Sequence, residues 1–142
     1  MSSSVKLDLV RGSHLIVNRY CGQAYLLEAP GERRIFFVLP WKDKTLVGTT
    51  EVWQELNEPI TCSKEDVNYL LRAYNHWMSD AITEEDIDST FAGLRPLLPS
   101  SDDPSRLTRE YAIRRERHLI NVFGGKWTTS CALAERDVKM KN

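Results

Sequence analysis

The sequence lacks any long apolar run. Its longest, Ile35 to Trp41 (IFFVLPW), falls far short of the ~20 residues that a membrane-crossing helix requires. The opening Met1-Ser2-Ser3-Ser4 leads into alternating charged and apolar residues without the apolar stretch of a signal peptide, so a cytoplasmic location is expected. Cysteine is scarce: Cys21, Cys62 and Cys131 are odd in number, far apart and free of any Cys-x-x-Cys pair. That pattern excludes a disulfide framework, argues against a zinc site, and implies free thiols in a reducing compartment. Charge of one sign is missing too. With 19 basic and 20 acidic residues the net charge is −1, so no global field attracts nucleic acid or anionic lipid, and any anion site has to be local. The glycines stand at 12, 22, 31, 48, 93, 124 and 125. No three of them fit Gly-x-Gly-x-x-Gly, which excludes a Rossmann-type dinucleotide fingerprint from this chain.

What is present fits one α+β domain over residues 1–142, with neither repeats nor a low-complexity linker. A domain near this size buries about 68–70% of the surface of its unfolded chain, enough for a real core. The first half reads as short β-branched and aromatic runs, Ser13 to Tyr20, Ala24 to Glu28, Arg34 to Trp41 and Thr45 to Glu51, separated by turn formers such as Pro30-Gly31 and Lys42-Asp43. The spacing predicts an antiparallel meander joined by hairpins. Ser63 then caps a helix whose first turn carries Glu65 and Asp66, favoured by the helix dipole. Val67, Leu70, Leu71, Tyr74, Trp77 and Met78 form its apolar stripe, while His76 points to solvent. Ile87 to Leu98 mixes apolar residues with Thr90 and Gly93, and Pro96 and Pro99 exclude a helix there. A turn-rich loop, Pro99 to Ser105, leads to strands at Arg106 to Ile113 and His118 to Phe123. A Gly124-Gly125 turn then opens a helix marked by Trp127, Cys131, Ala134 and Val138.

Four features have chemistry in them. Gly124-Gly125-Lys126-Trp127-Thr128 runs from a strand through two glycines into a helix start. Backbone N–H groups and the dipole there favour an anion or an electron-rich carbonyl, and glycine permits close approach; a plain tight turn explains the glycines equally well. Arg95 and Arg109 flank the proline-rich loop. Converging guanidinium groups grip a phosphate bidentately, although two surface arginines give the same sequence. Arg95 has the more apolar neighbours, Phe91, Leu94 and Leu97, where an arginine needs a partner. His14 opens a strand after Arg11-Gly12-Ser13. It could take the proton released in alcohol oxidation, be a structural histidine, or belong to an expression scar, although the strand pattern continues from it unbroken. His118, among Arg114 to Arg117, reads as a solvated turn.

Taken in order, seven runs resemble the FAD-dependent glycerol-3-phosphate dehydrogenases of the D-amino-acid-oxidase-like superfamily. They are Val10 to His14 (VRGSH), Phe37 to Trp41 (FVLPW), Leu46 to Glu51 (LVGTTE), Asp66 to Leu71 (DVNYLL), Ala92 to Leu97 (AGLRPL), Leu107 to Tyr111 (LTREY) and Asn121 to Thr129 (NVFGGKWTT). The resemblance implies a sheet-rich substrate domain that covers a flavin, together with the glycine turn that returns to it. By resemblance Arg95, Arg109 and His14 bind substrate, and His14, Arg95 and Lys126 are the catalytic group. Gly124, Gly125, Lys126, Trp127 and Thr128 contact FAD. The implied reaction oxidises sn-glycerol 3-phosphate to dihydroxyacetone phosphate and passes electrons to quinone, in enzymes peripheral to the inner membrane. The pattern departs from the family at Ser130-Cys131-Ala132 and in a shorter Tyr111–Asn121 connection. Without a nucleotide-binding segment the chain is expected to be a fragment, inactive alone and prone to self-association through an uncovered face. A stand-alone phosphate-anion binding module and an inactive gene remnant are the competing readings.

Overall fold

A computed structural model describes residues 6–99 and 111–139. Its eight described strands are β1 (Asp8–Val17), β2 (Tyr25–Glu28), β3 (Ile35–Trp41), β4 (Lys44–Gly48), β5 (Val52–Trp53), β6 (Ile87–Leu97), β7 (Tyr111–Glu116) and β8 (Leu119–Gly124); the helices are α1 (Lys64–Trp77) and α2 (Ser130–Lys139). The class is α+β, and the pairings β1–β4, β2–β3, β3–β4 and β7–β8 are antiparallel. The chain divides into two compact units, Arg11–Leu94 and the combination of Met1–Val10 with Arg95–Asn142.

The first unit is built on a sheet of order β2-β3-β4-β1-β5, with β6 pairing β1. The predicted meander holds for β2-β3-β4, but β1 joins beside β4 rather than beside β2. The residues between β1 and β2, with their Cys21-Gly22-Gln23 turn, therefore connect across the sheet instead of closing a hairpin. β1 also begins earlier than its apolar pattern does, because Asp8 and Arg11 belong to the strand despite their charge. β3 and β4 are joined through Lys42-Asp43, where Lys42 has φ 58°, the left-handed geometry that a two-residue hairpin turn favours. Pro40 is tolerated in β3 because β2 pairs only Ile35 to Val38, so the missing N–H falls beyond the neighbouring strand.

Side chains alternate across this sheet. Tyr25, Val38, Val47 and Leu15 stand opposite one another in a row across β2, β3, β4 and β1. With Val17 and Phe36, the last three of these meet Leu70, Leu71, Ala73 and Tyr74 of α1 in the main core. The predicted helix stripe is this contact with one exchange. Ala73 is buried, while Trp77 is half exposed and donates its Nε1–H to the Glu28 carbonyl at 2.8 Å, which occupies a backbone acceptor of edge strand β2. The ambiguous Ile87 to Leu98 segment is strand β6, consistent with its prolines excluding a helix.

In the other unit β7 and β8 form a hairpin through Arg117-His118, with Arg117 at φ 55°. β8 ends at Gly124, and Gly124 and Gly125 have φ 74° and 87°, values that few residues besides glycine adopt. A 3-10 turn at Trp127–Thr129 leads into α2. Three members of the apolar stripe expected for this helix are not buried, and the side chain of the fourth, Val138, lies outside the described residues. Trp127, Cys131 and Ala134 are exposed and Leu133 is half buried. Arg136 covers the Tyr111 ring at 5.7 Å. Leu97 of β6 packs on Val10.

Candidate functional site

The outward face of the six-stranded sheet carries a second row. Leu26 of β2 lies opposite Phe37 of β3, Phe37 opposite Gly48 of β4, and Gly48 opposite His14 of β1. His14 then stacks on Phe91 of β6, ring centroids 4.6 Å apart and planes within 7°. This face is apolar and open: Leu26, Phe37 and Phe91 are 61%, 42% and 46% exposed. His14 is half buried in it.

The opposite side of β1 explains why His14 faces outward. Arg11, Ser13, Leu15 and Val17 alternate toward α1, and the two polar members converge on Asp66 at the helix start. Asp66 Oδ2 accepts from Arg11 Nη2 at 2.9 Å, Ser13 Oγ at 2.8 Å and the Ser63 backbone N–H at 3.1 Å. The Asp66 N–H returns a bond to Ser63 Oγ at 3.2 Å, completing a capping box. Arg11 Nη1 also donates to Gln54 Oε1, and the Ser13 N–H donates to Thr50 Oγ1. Asp66 is 4% exposed, and burial pushes its carboxyl up. Hydrogen bonds from Ser13 and Ser63 and the Arg11 charge outweigh that and hold it below the usual aspartate value. Asp66 is therefore a buried anion that fixes β1 against α1, beyond the dipole role its position suggests. The adjoining Cys62 thiol is pushed up by burial and by the Asp66 charge.

The other sequence-predicted residues stand in the second unit. Arg95 is half buried on β6, immediately before Pro96. Gly124 to Thr128 form one continuous turn. Lys126 caps the Trp127–Thr129 turn in extended conformation, with its carbonyl taking the Thr129 N–H at 3.0 Å. No side chain caps this start, and Trp127 is 91% exposed. Arg109 lies outside the described residues, as do Arg106 to Glu110 of the expected strand. His14 thus belongs to one unit, and Arg95 with the glycine turn to the other.

The donor set at the turn fits one part of a flavin. Two glycines at positive φ and an uncapped helical start suit the carbonyl edge of a ring system. The pyrophosphate of a dinucleotide needs a glycine-rich strand–helix loop, and the seven glycines compose none. A groove of 310 Å³ lined by Pro30, Glu32, Tyr69, Arg72, Ala73 and His76 lies along α1, and none of the predicted site residues lines it.

The sequence profile of the FAD dependent oxidoreductase family matches residues 2–136. The chain belongs to that family. This FAD-dependent oxidoreductase domain is 35% identical over 144 residues to D-erythritol 1-phosphate dehydrogenase of Brucella abortus (strain 2308), covering 95% of this chain and 28% of that protein. It is 36% identical over 145 residues to the aerobic glycerol-3-phosphate dehydrogenase of Escherichia coli (strain K12), covering 95% and 29%. The glycerol-3-phosphate dehydrogenase of Bacillus halodurans, solved in complex with FAD, superposes with a TM-score of 0.76 at 32% identity, over 94% of this chain and 26% of that one. The chain therefore spans between a quarter and a third of the length of the relatives it matches. FAD is the cofactor of the family, and glycerol-3-phosphate dehydrogenases are among the homologues. Among the described residues of this oxidoreductase domain, no helix is long and apolar enough to cross a membrane.

Sequence reasoning missed Gly48 and Phe91, the neighbours of His14, and the Arg11–Asp66 pair. A signal for Gly48 was present, since an isolated glycine inside a strand pattern marks a close approach.

Proposed function

We propose that this chain is the substrate-side part of an FAD-dependent glycerol-3-phosphate dehydrogenase, oxidising the C2 alcohol of sn-glycerol 3-phosphate to the ketone of dihydroxyacetone phosphate. The observation that carries this reading is likeness along 95% of the chain to an enzyme of that name. In this reading Arg95 and Arg109 hold the phosphate, with paired guanidinium N–H groups matched to its oxygens. His14 accepts the proton of the C2 hydroxyl, a task suited to an imidazole near neutral pH. Lys126 adds positive charge beside the reacting alcohol. The turn from Gly124 to Thr128 presents backbone N–H groups, with Gly125 and Trp127 shaping the approach to the ring. FAD, when bound, would supply the hydride acceptor and the route of electrons to quinone. The nucleotide-binding core of such an enzyme is not among these 142 residues, whose glycines compose no dinucleotide fingerprint, and the enzyme acts at the inner membrane as a peripheral protein. The cap role of the outward sheet face and of the glycine turn follows from the same reading. Comparable likeness to a D-erythritol 1-phosphate dehydrogenase favours a second substrate, the four-carbon polyol phosphate.

The test is a hybrid in which this chain replaces the matching segment of the Escherichia coli relative. Loss of a charged hydrogen bond is worth about 1.5–3 kcal/mol, so Arg95→Ala should raise KM for sn-glycerol 3-phosphate about 10- to 100-fold. Unchanged kinetics contradicts the phosphate-binding role. A stronger turnover of D-erythritol 1-phosphate supports the second substrate. Binding of either phosphate ester by the isolated chain without flavin would instead favour a binding module.

A further inference from the structure

The surroundings of His14 assign a role to two residues that the reaction scheme leaves out. We infer that Gly48 and Phe91 are positioning residues that seat the His14 imidazole; the inference deepens the reading of His14 as proton acceptor and rests on it for its functional meaning. Gly48 is the cross-strand partner of His14. A Cβ built on Gly48 would fall against His14 Cδ2 and lie 2.8 Å from Cγ and 3.1 Å from Nε2. The imidazole therefore occupies the volume that any larger residue would fill. Gly48 does not have a positive φ, so its backbone conformation does not demand glycine. Glycine inside a strand costs about 0.5–1 kcal/mol relative to alanine, and here that cost leaves room for a ring.

Phe91 closes the other approach. Its ring is parallel to the imidazole within 7° at a centroid distance of 4.6 Å. That exceeds the ~3.5–4 Å of direct atomic contact, so the rings are slid past each other in the preferred offset stack. β1 lies between β4 and β6, so the seat is made from three neighbouring strands and not from a loop. Space on the β4 side fixes where the ring can go, and the β6 side fixes its plane. His14 is half buried on a face where Phe91 is itself 46% exposed. A base that must meet a hydroxyl proton along one direction gains from such a seat, because misplacement by about 1 Å can cost on the order of a hundredfold in rate.

The test reads the ring directly in this chain, independently of catalysis. His14, His76 and His118 are the three histidines, and His14→Gln identifies the His14 signals in a carbon-resolved aromatic NMR spectrum. Stacking places the His14 ring protons upfield of those of exposed His118. Phe91→Leu should move them downfield to the His118 position, and Phe91→Tyr should keep them upfield. Gly48→Ala should displace or split them, whereas Gly93→Ala, with nothing within 4 Å of the added Cβ, should leave them in place. Circular dichroism checks that each variant is folded; if Gly48→Ala unfolds, the Phe91 pair alone decides the outcome. His14 signals unmoved by Phe91→Leu would overturn the inference. Full turnover of a His14→Gln hybrid would end the proton-acceptor reading and leave the seat standing, so the two failures are distinct.

Discussion

At the scale of single residues, Asp66 is the most consequential side chain outside the proposed chemistry. It is a buried carboxylate serving Arg11, Ser13 and Ser63 together. Asp66→Ala leaves the half-buried Arg11 without its counter-charge and, among the described residues, with only Gln54 as partner, which should cost about 3 kcal/mol in urea unfolding. Its pH dependence has a definite sign. The folded value is depressed, so the stabilisation is complete above the ordinary aspartate pKa of about 3.9 and is lost as pH falls through the lower folded value. Asp66→Asn should therefore be less stable than the parent at pH 6, with the gap narrowing in acid. A gap that widened on acidification would contradict this sign. The thiols differ as well: Cys62 is half buried with its thiol pushed up, and Cys131 is exposed. Iodoacetamide followed by mass spectrometry should label Cys131 well before Cys62; the reverse order would contradict the assigned environment of Cys62.

At the scale of elements, the strand runs of the first half were legible because alternation across a half-buried sheet leaves a period of two in the sequence. Tyr25 to Glu28 and Ile35 to Trp41 lie within the runs read from sequence. The placement of β1 beside β4 was not legible. It rests on the pairing of His14 to Val17 with Thr45 to Gly48, a contact between stretches distant in sequence that leaves no local pattern. The start of α1 was legible from Ser63 and the acidic first turn, and the capping box makes that start quantitative. Ser63→Ala should lower stability by about 1 kcal/mol, measured by thermal unfolding. No change would mean that the helix start is held by Asp66 alone. For the candidate site, His14, Arg95 and the glycine turn were visible as residue types with chemistry. Gly48 and Phe91 were not, because a seat is a relation between strands β4, β1 and β6.

At the scale of the whole molecule, the chain carries an open apolar sheet face and a glycine turn but no dinucleotide fingerprint, and it spans 26% of the FAD-bound structure it superposes on. The isolated chain should retain no flavin absorbance after incubation with FAD and removal of the unbound cofactor, and its exposed Leu26 and Phe37 should promote self-association in sedimentation at high concentration. A retained flavin spectrum would show that this chain holds cofactor unaided. The central claim is that the chain supplies the polyol-phosphate side of a flavin dehydrogenase. The most direct measurement is anaerobic addition of sn-glycerol 3-phosphate to the purified, FAD-loaded hybrid while following the oxidised flavin band. Bleaching of that band, much slowed by Arg95→Ala, is the predicted result. A flavin that dithionite reduces but neither sn-glycerol 3-phosphate nor D-erythritol 1-phosphate does would contradict the account.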